Sequence, residues 1–274
     1  MLARPGELLE DAVVVTLDDG YLGNYRYAWP IFCEEGVPAT IFVCTGFLDG
    51  SELWFDLAER CLDAAVDRRI SLDALDDRAL REAIAAWSHR SRKERTRNWL
   101  KSLPPERRDA LLRQLRPLCE PLREPRPPLT WEAVREMQRS RIEVGCHTVS
   151  HPTLSTLPAR RQAEEIVLAR DRITAETGAP PRLFAYPNGA ATDFTDETVN
   201  IVRDAGFLAA CTTRRVSNRA GCDPFRLGRI GVGSEPCVML AARLAGLFDE
   251  QVRTLLSRYE LGVRPRLMRA SPVR

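Results

Sequence analysis

The sequence predicts an α/β protein, a distorted (β/α) barrel of about seven strands carrying a helical insertion. Three observations predict it. A strand–helix–strand unit opens the chain. The same rhythm resumes near residue 130 and repeats to about residue 248. Residues 47–128, between the two, hold helical stretches and no convincing strand. Strands alternating with helices of 10–15 residues form βαβ units with parallel pairing, and their recurrence argues for a closed or nearly closed barrel.

The elements follow in order. The apolar run at residues 13–17 reads as a buried strand, Tyr25 to Glu35 as a helix closed by Gly36, and Pro38 to Val43 as the next strand. After the break, Trp131 to Arg139 reads as a helix with Thr130 at its N-cap, since a Thr hydroxyl can accept from a free N–H of the first turn. Ile142 to Cys146 is a strand. Pro158 to Thr177 is a long helix that Gly178 can end. Leu183 to Ala185 is a short strand, Asp196 to Ala205 a helix, and Leu208 to Thr212 and Leu227 to Val232 are strands. Pro236 to Phe248 is the last helix.

The insertion splits in charge. Residues 49–87 hold ten acids and five bases, and residues 88–126 hold twelve bases and five acids. Such complementary halves can pair as a helical hairpin. Pro121 to Pro128, rich in proline, reads as a stiff linker back to the barrel. The expected organisation is a first barrel part over 1–46, the insertion over 47–128, a second barrel part over 129–262, and a mobile basic tail over 263–274. The insertion reads equally well as a lid or platform over the barrel mouth and as a surface elaboration.

Composition excludes several classes. A formal net charge of +2 gives no reason for a polyanionic partner. The bases of the insertion interleave with apolar helix positions and lack an aromatic stacking set, which argues against nucleic-acid binding. No apolar run reaches the ~20 residues that span a bilayer. The first residues lack the apolar core of a secretory signal, so a cytoplasmic location is expected. Eight scattered cysteines form no CxxC pair. They read as reduced, buried thiols rather than as disulfides or a cysteine-based zinc site.

Two segments carry the chemistry. Asp18-Asp19-Gly20 follows the first strand, and His147-Thr148-Val149-Ser150-His151 follows the strand ending at Cys146. The chain has only three histidines, and two stand four residues apart here. If this turn is helical, that spacing puts both imidazoles on one face, where they can bind one divalent ion. One carboxylate would complete a His₂-carboxylate set with open positions. Adjacent aspartates at a strand end point in different directions, so one can ligate while the other faces the substrate. A barrel gathers the C-terminal ends of its strands at one mouth, which lets the two segments meet.

Thr16-Leu17-Asp18-Asp19-Gly20, His147-Thr148-Val149-Ser150-His151 and Phe184-Ala185-Tyr186-Pro187-Asn188-Gly189 lie in order along the chain. With Gly36 to Val43, Ala205-Gly206-Phe207 and Asp223 to Ile230, they resemble the polysaccharide deacetylases of the NodB-homology type, carbohydrate esterase family 4. The resemblance covers residues 12–46 and 130–235. It implies a metal-dependent hydrolase that removes N-acetyl groups from a polysaccharide or amino sugar, releasing acetate and a free amine. In that pattern Asp18 is the general base. Asp19, His147 and His151 hold a divalent metal, with zinc expected. Asn188 supplies a backbone N–H to the oxyanion. Tyr186 either lines the sugar site or packs on the barrel rim. Thr148 and Ser150 shape their turn, and Gly20 and Gly189 serve backbone geometry.

The sequence departs from the pattern in three places. Ala185 stands where many members have an arginine that tunes the base. No histidine follows His151, so the late L-x-H general acid is absent, and the corresponding region reads Leu227-Gly228-Arg229-Ile230. Losing a positioned acid costs on the order of 10²–10⁴ in rate, which predicts a slow or narrowly specific enzyme. The first strand motif also arrives early, so either one barrel element is missing or the natural start lies upstream. Two alternatives stay open: removal of a formyl or other small acyl group by the same chemistry, and a non-catalytic glycan-binding or assembly protein on a degenerate barrel.

Overall fold

The computed structural model describes residues 12–245 apart from 72–76, 88–89, 220 and 235. Its centre is a curled, all-parallel half-barrel of five strands in the order β1-β2-β3-β4-β5. The strands are β1 (Val15–Leu17), β2 (Ala39–Val43), β3 (Ile142–Cys146), β4 (Leu183–Ala185) and β5 (Ala209–Cys211). Sequential strands are neighbours, and each connection carries helix, as parallel pairing requires. All five C-terminal ends therefore lie on one side, where the loops after β1, β3 and β4 present the three motifs.

β2 and β3 form the middle of the sheet, with register Ala39↔Ile142 through Val43↔Cys146. Every residue of β2 is buried, as expected of a strand covered on both faces. Gly145 lets β3 pass Phe42: a Cβ there would meet the Phe42 ring at 2.4 Å. β1 departs from the expected buried strand. It is half-buried at the edge of the sheet, and Val13 and Val14 before it are exposed.

The helices follow the sequence reading closely. A π-helical turn (Asn24–Ala28) runs into α1 (Trp29–Glu34), and Gly36 follows with φ 65°. α7 (Trp131–Arg139) has Thr130 as its cap, accepting from Ala133 N at 3.1 Å. α8 (Ala159–Thr177) ends at Gly178 in the left-handed conformation. α9 (Asp196–Asp204) opens on a reciprocal Thr195/Thr198 cap, and Thr198 also donates to buried Gln162 at 2.6 Å. The last described helix is α10 (Cys237–Leu244). The expected extension of that helix to Phe248 and the tail over 263–274 lie outside the described residues.

The strand expected over Leu227 to Val232 does not form. Leu227 makes a single parallel bridge to Cys211. Its neighbour Gly228 is then gripped by Asn218, which accepts from Gly228 N at 2.8 Å and donates to its carbonyl at 2.9 Å. The backbone there passes so close to residue 216 that an added Cβ would stand 2.4 Å from Val216 Cγ2. These contacts lead the chain off the sheet, and among the described residues the barrel stays half-open with five strands rather than seven.

Between β2 and β3 lie α2 (Thr45–Leu48), α3 (Trp54–Asp67), α4 (Arg78–Trp87), α5 (Arg90–Ser102) and α6 (Pro105–Cys119). Helices α3–α6 close on their own apolar cluster, which includes Cys61, Leu62, Leu80, Trp87, Leu115 and Cys119. The charge split resolves into ion pairs between the halves: Lys93 and Arg123 with Asp63, Arg97 with Glu59, Arg107 with Asp77, and Arg126 with Asp56. Among the described residues the unit has four helices, not the two of a hairpin. All eight cysteines are free, and Cys44, Cys61, Cys119 and Cys146 are buried.

Candidate active site

The loop after β1 turns sharply at Asp19, with φ 72°, and at Gly20, with φ 94°. A Cβ on Gly20 would come within 2.7 Å of Leu48. The turn sends Asp18 and Asp19 to different sides, as expected for neighbours at a strand end. The loop after β3 is not helical. His147 and His151 converge because Thr148 and His151 both take left-handed backbone, with φ 68° and 54°. Thr148 Oγ1 accepts from His151 N at 3.1 Å, and Glu165 of α8 accepts from Val149 N, Ser150 N and Ser150 Oγ.

Asp19 Oδ1 stands 3.5 Å from His147 Nε2 and 3.5 Å from His151 Nε2. His147 is 2% exposed and His151 6%. His147 Nδ1 lies 2.7 Å from the Ala185 carbonyl, an acceptor only, so Nδ1 donates to it and Nε2 is the ring nitrogen that faces Asp19. Burial, and next His147, push His151 well below the ordinary imidazole range, so it is neutral. Two imidazole Nε2 atoms thus face one carboxylate. Four ligand atoms at about 2.1 Å from one ion sit ~3.4 Å apart, close to the two spacings from Asp19 to the histidines. The donor set fits a divalent cation, and each nitrogen bond to it would need a neutral imidazole.

Cys44 also enters this neighbourhood. Asp19, Cys44 and His147 present donor atoms that all lie within 4.8 Å of one another, and His151 falls outside that mutual set. The Cys44 thiol donates to the His147 carbonyl at 3.1 Å, and burial raises its pKa well above the ordinary thiol value. On those grounds His151, whose Nε2 shares the same Asp19 oxygen, fits the third ligand position better than Cys44. His151 Nδ1 is buried without a partner.

Asp18 is held differently. Arg229 grips it with two hydrogen bonds, Nη1 to Oδ1 at 2.7 Å and Nη2 to Oδ2 at 2.8 Å. Burial alone would raise the Asp18 pKa, but His147 and Arg229 outweigh it and the net shift is downward. Burial, with Asp18 beside it, pushes Asp19 up despite His147. Arg229 Nε donates to the Thr212 carbonyl at 2.9 Å, which fixes the guanidinium. Arg229 was given no role on sequence grounds, since it lies 211 residues from Asp18. The only hint was its place in Leu227-Gly228-Arg229, the region that the resemblance set against the late L-x-H motif.

In the loop after β4, Asn188 has φ 63°, and its backbone carbonyl accepts from Thr213 Oγ1 at 2.8 Å. Tyr186 is 1% exposed, stacks on Phe194 and donates its hydroxyl to the Phe225 carbonyl, so its ring packs in the rim while it borders the cavity. That cavity, about 520 Å³, joins Asp18, Asp19, His147, His151, Tyr186 and Asn188 to residues of α3, α4 and α5. The structure therefore brings Asp18, Asp19, His147, His151, Tyr186 and Asn188 to one cavity.

A family model for polysaccharide deacetylase matches residues 6–210. The chain belongs to the polysaccharide deacetylase family. Such proteins are hydrolases of amide or ester bonds, their fold implies a glycan substrate, and they are generally metal-dependent. Among solved structures, the chain is similar to IcaB from Ammonifex degensii, at 23% identity and TM-score 0.53, covering 85% of this chain and 72% of that one. It is also similar to a de-N-acetylase from Aggregatibacter actinomycetemcomitans, at 17% identity and TM-score 0.54, covering 86% and 76%. A Streptococcus pyogenes deacetylase, PplD, in complex with acetate matches at 18% identity and TM-score 0.47, with 78% of this chain covering only 62% of that protein's length. At these identities the likeness is one of fold. Comparison with curated protein sequences finds no match. Among the described residues no helix is long and apolar enough to cross a membrane.

Proposed function

We propose that this protein is a divalent-metal-dependent deacetylase that hydrolyses the N-acetyl amide of an amino sugar in a glycan. The observation that carries the reading is the convergence of Asp18, Asp19, His147, His151 and Asn188 on one cavity, with two imidazole Nε2 atoms facing one carboxylate. Asp19, His147 and His151 would hold the cation, and two nitrogens with one oxygen suit zinc. A bound divalent ion supplies Lewis acidity at the acyl oxygen and acidifies water.

The residues do the rest. Asp18, kept ionised and oriented by Arg229, takes a proton from the water that attacks the acyl carbon. As negative charge grows on the acyl oxygen, the backbone N–H of Asn188 donates to it. The C–N bond then breaks. Protonated Asp18 returns its proton to the leaving nitrogen, giving acetate and a free amine. Asp18 serves both roles because no histidine follows His151.

Acetate release from N-acetylated chito-oligosaccharides by zinc-loaded protein tests this. Asp18→Asn is expected to lower turnover by about 10²–10⁴ while metal content stays at the wild-type level. Full turnover in that variant would remove Asp18 from the chemistry.

A further inference from the structure

Helices α3–α6 are tied to each of the three loops that carry the motifs. Trp54 Nε1 of α3 donates to the His151 carbonyl at 2.9 Å. Tyr21, two residues after Asp19, donates its hydroxyl to Asp56 of α3 at 2.9 Å. Lys101 of α5 pairs at 2.8 Å with Asp193, which is 2% exposed and also accepts from Ala190 N in the loop after Asn188. Three separate bonds to three separate loops are not needed to cover a barrel. They fix one face of the helical unit over the candidate metal site.

That face is built for contact with a ligand. Along α5, Arg97, Asn98 and Lys101 recur at helical spacing and border the cavity, as Phe55, Ala58 and Glu59 do along α3. Phe55 is half-buried, with its ring 4.8 Å from the His151 ring. Arg97 lies over the Trp87 ring and reaches Glu59 at 3.0 Å in an exposed pair. An exposed ion pair is worth little, so both groups can exchange it for ligand hydroxyls. Asn98 is exposed, with a donor and an acceptor to offer. An aromatic surface with a few convergent polar groups is the lining expected of a small-molecule site.

We propose that this face of α3 and α5 is the sugar-binding wall of the site. Phe55 packs against the pyranose ring of the N-acylated residue, and Arg97, Asn98 and Glu59 bind its hydroxyls. The proposal rests on the deacetylase reading for the reaction, and on its own for the binding.

Two measurements separate the proposal from that reading. The first is steady-state acetate release from N-acetylated chito-oligosaccharides by zinc-loaded wild type, Asn98→Ala and Arg97→Met. KM is expected to rise about tenfold in each variant, with kcat within twofold. The second is calorimetric binding of the same oligosaccharides to Asp18→Asn protein, with and without Asn98→Ala, where the added substitution is expected to weaken binding by a similar factor. Asn98 is exposed, so its replacement leaves folding intact, and unchanged melting checks this. Unchanged KM in both variants, with binding unchanged by Asn98→Ala, would overturn the wall while leaving the deacetylase reading in place. Binding that depends on Asn98, in a protein that releases no acetate, would uphold the wall and sink the deacetylase reading.

Discussion

Asp19, Thr148, His151 and Asn188 all hold left-handed backbone, and all four stand in the loops around one cavity. Asparagine and aspartate tolerate that conformation, whereas a β-branched threonine adopts it only where its surroundings force it. Such residues cluster where a site needs a fixed geometry. They also explain a difference from the sequence reading. A helical turn was the condition under which spacing of four residues would align the two histidines, and the loop reaches the same convergence by two left-handed residues that no propensity announces. Arg229 was equally hidden, because a contact across 211 residues leaves no local trace. Its charge and hydrogen bonds, with His147, hold Asp18 below the ordinary carboxylate range. A group with a depressed pKa stays ionised to lower pH, so removing Arg229 raises that pKa. In Arg229→Gln the acid limb of kcat/KM is expected to move to higher pH, with metal content unchanged. An unmoved limb would show that Arg229 does not tune the base.

At the scale of elements, the strands and helices between Thr130 and Cys211 were legible almost to the residue. Their boundaries are set by local chemistry: a Thr cap at 130, a left-handed Gly at 178 and an apolar run in β3. The strand expected after Leu227 was not, because its fate depends on a side chain, Asn218, that captures Gly228 from outside the sheet. The charge split between residues 49–87 and 88–126 foretold pairing but not partners. Asp63 collects two of them, Lys93 and Arg123, and also accepts from Trp87 Nε1. Burial would raise its pKa, yet these donors lower it overall. The sign follows: stability from Asp63 is present above the unfolded value of about 3.9 and is lost as pH falls through the folded value. Asp63→Ala leaves the indole N–H of buried Trp87 without its acceptor and is expected to cost about 1–3 kcal/mol. Thermal melts at pH 7 and pH 3 check this, and the gap between variant and wild type should narrow at the lower pH. A gap independent of pH would rule out the Asp63 charge as its source.

At the scale of the molecule, two apolar clusters meet around the cavity, one under the sheet and one inside α3–α6. The sequence marked the break in rhythm at residues 47–128 but left open whether those helices serve the site. Residues of α3, α4 and α5 border the same cavity as Asp19, His147 and His151. The position of that cavity follows from the parallel sheet, which brings the C-terminal ends of β1, β3 and β4 to one side although their loops are far apart in the chain. Everything rests on those loops gripping one ion together. The most direct measurement is zinc affinity and stoichiometry in the purified protein and in Asp19→Asn, His147→Gln, His151→Gln and Cys44→Ser. The account predicts one ion per chain, an affinity loss of at least about 100-fold in each of the first three variants, and near wild-type binding in Cys44→Ser. Wild-type affinity in His151→Gln, with binding abolished by Cys44→Ser, would contradict it.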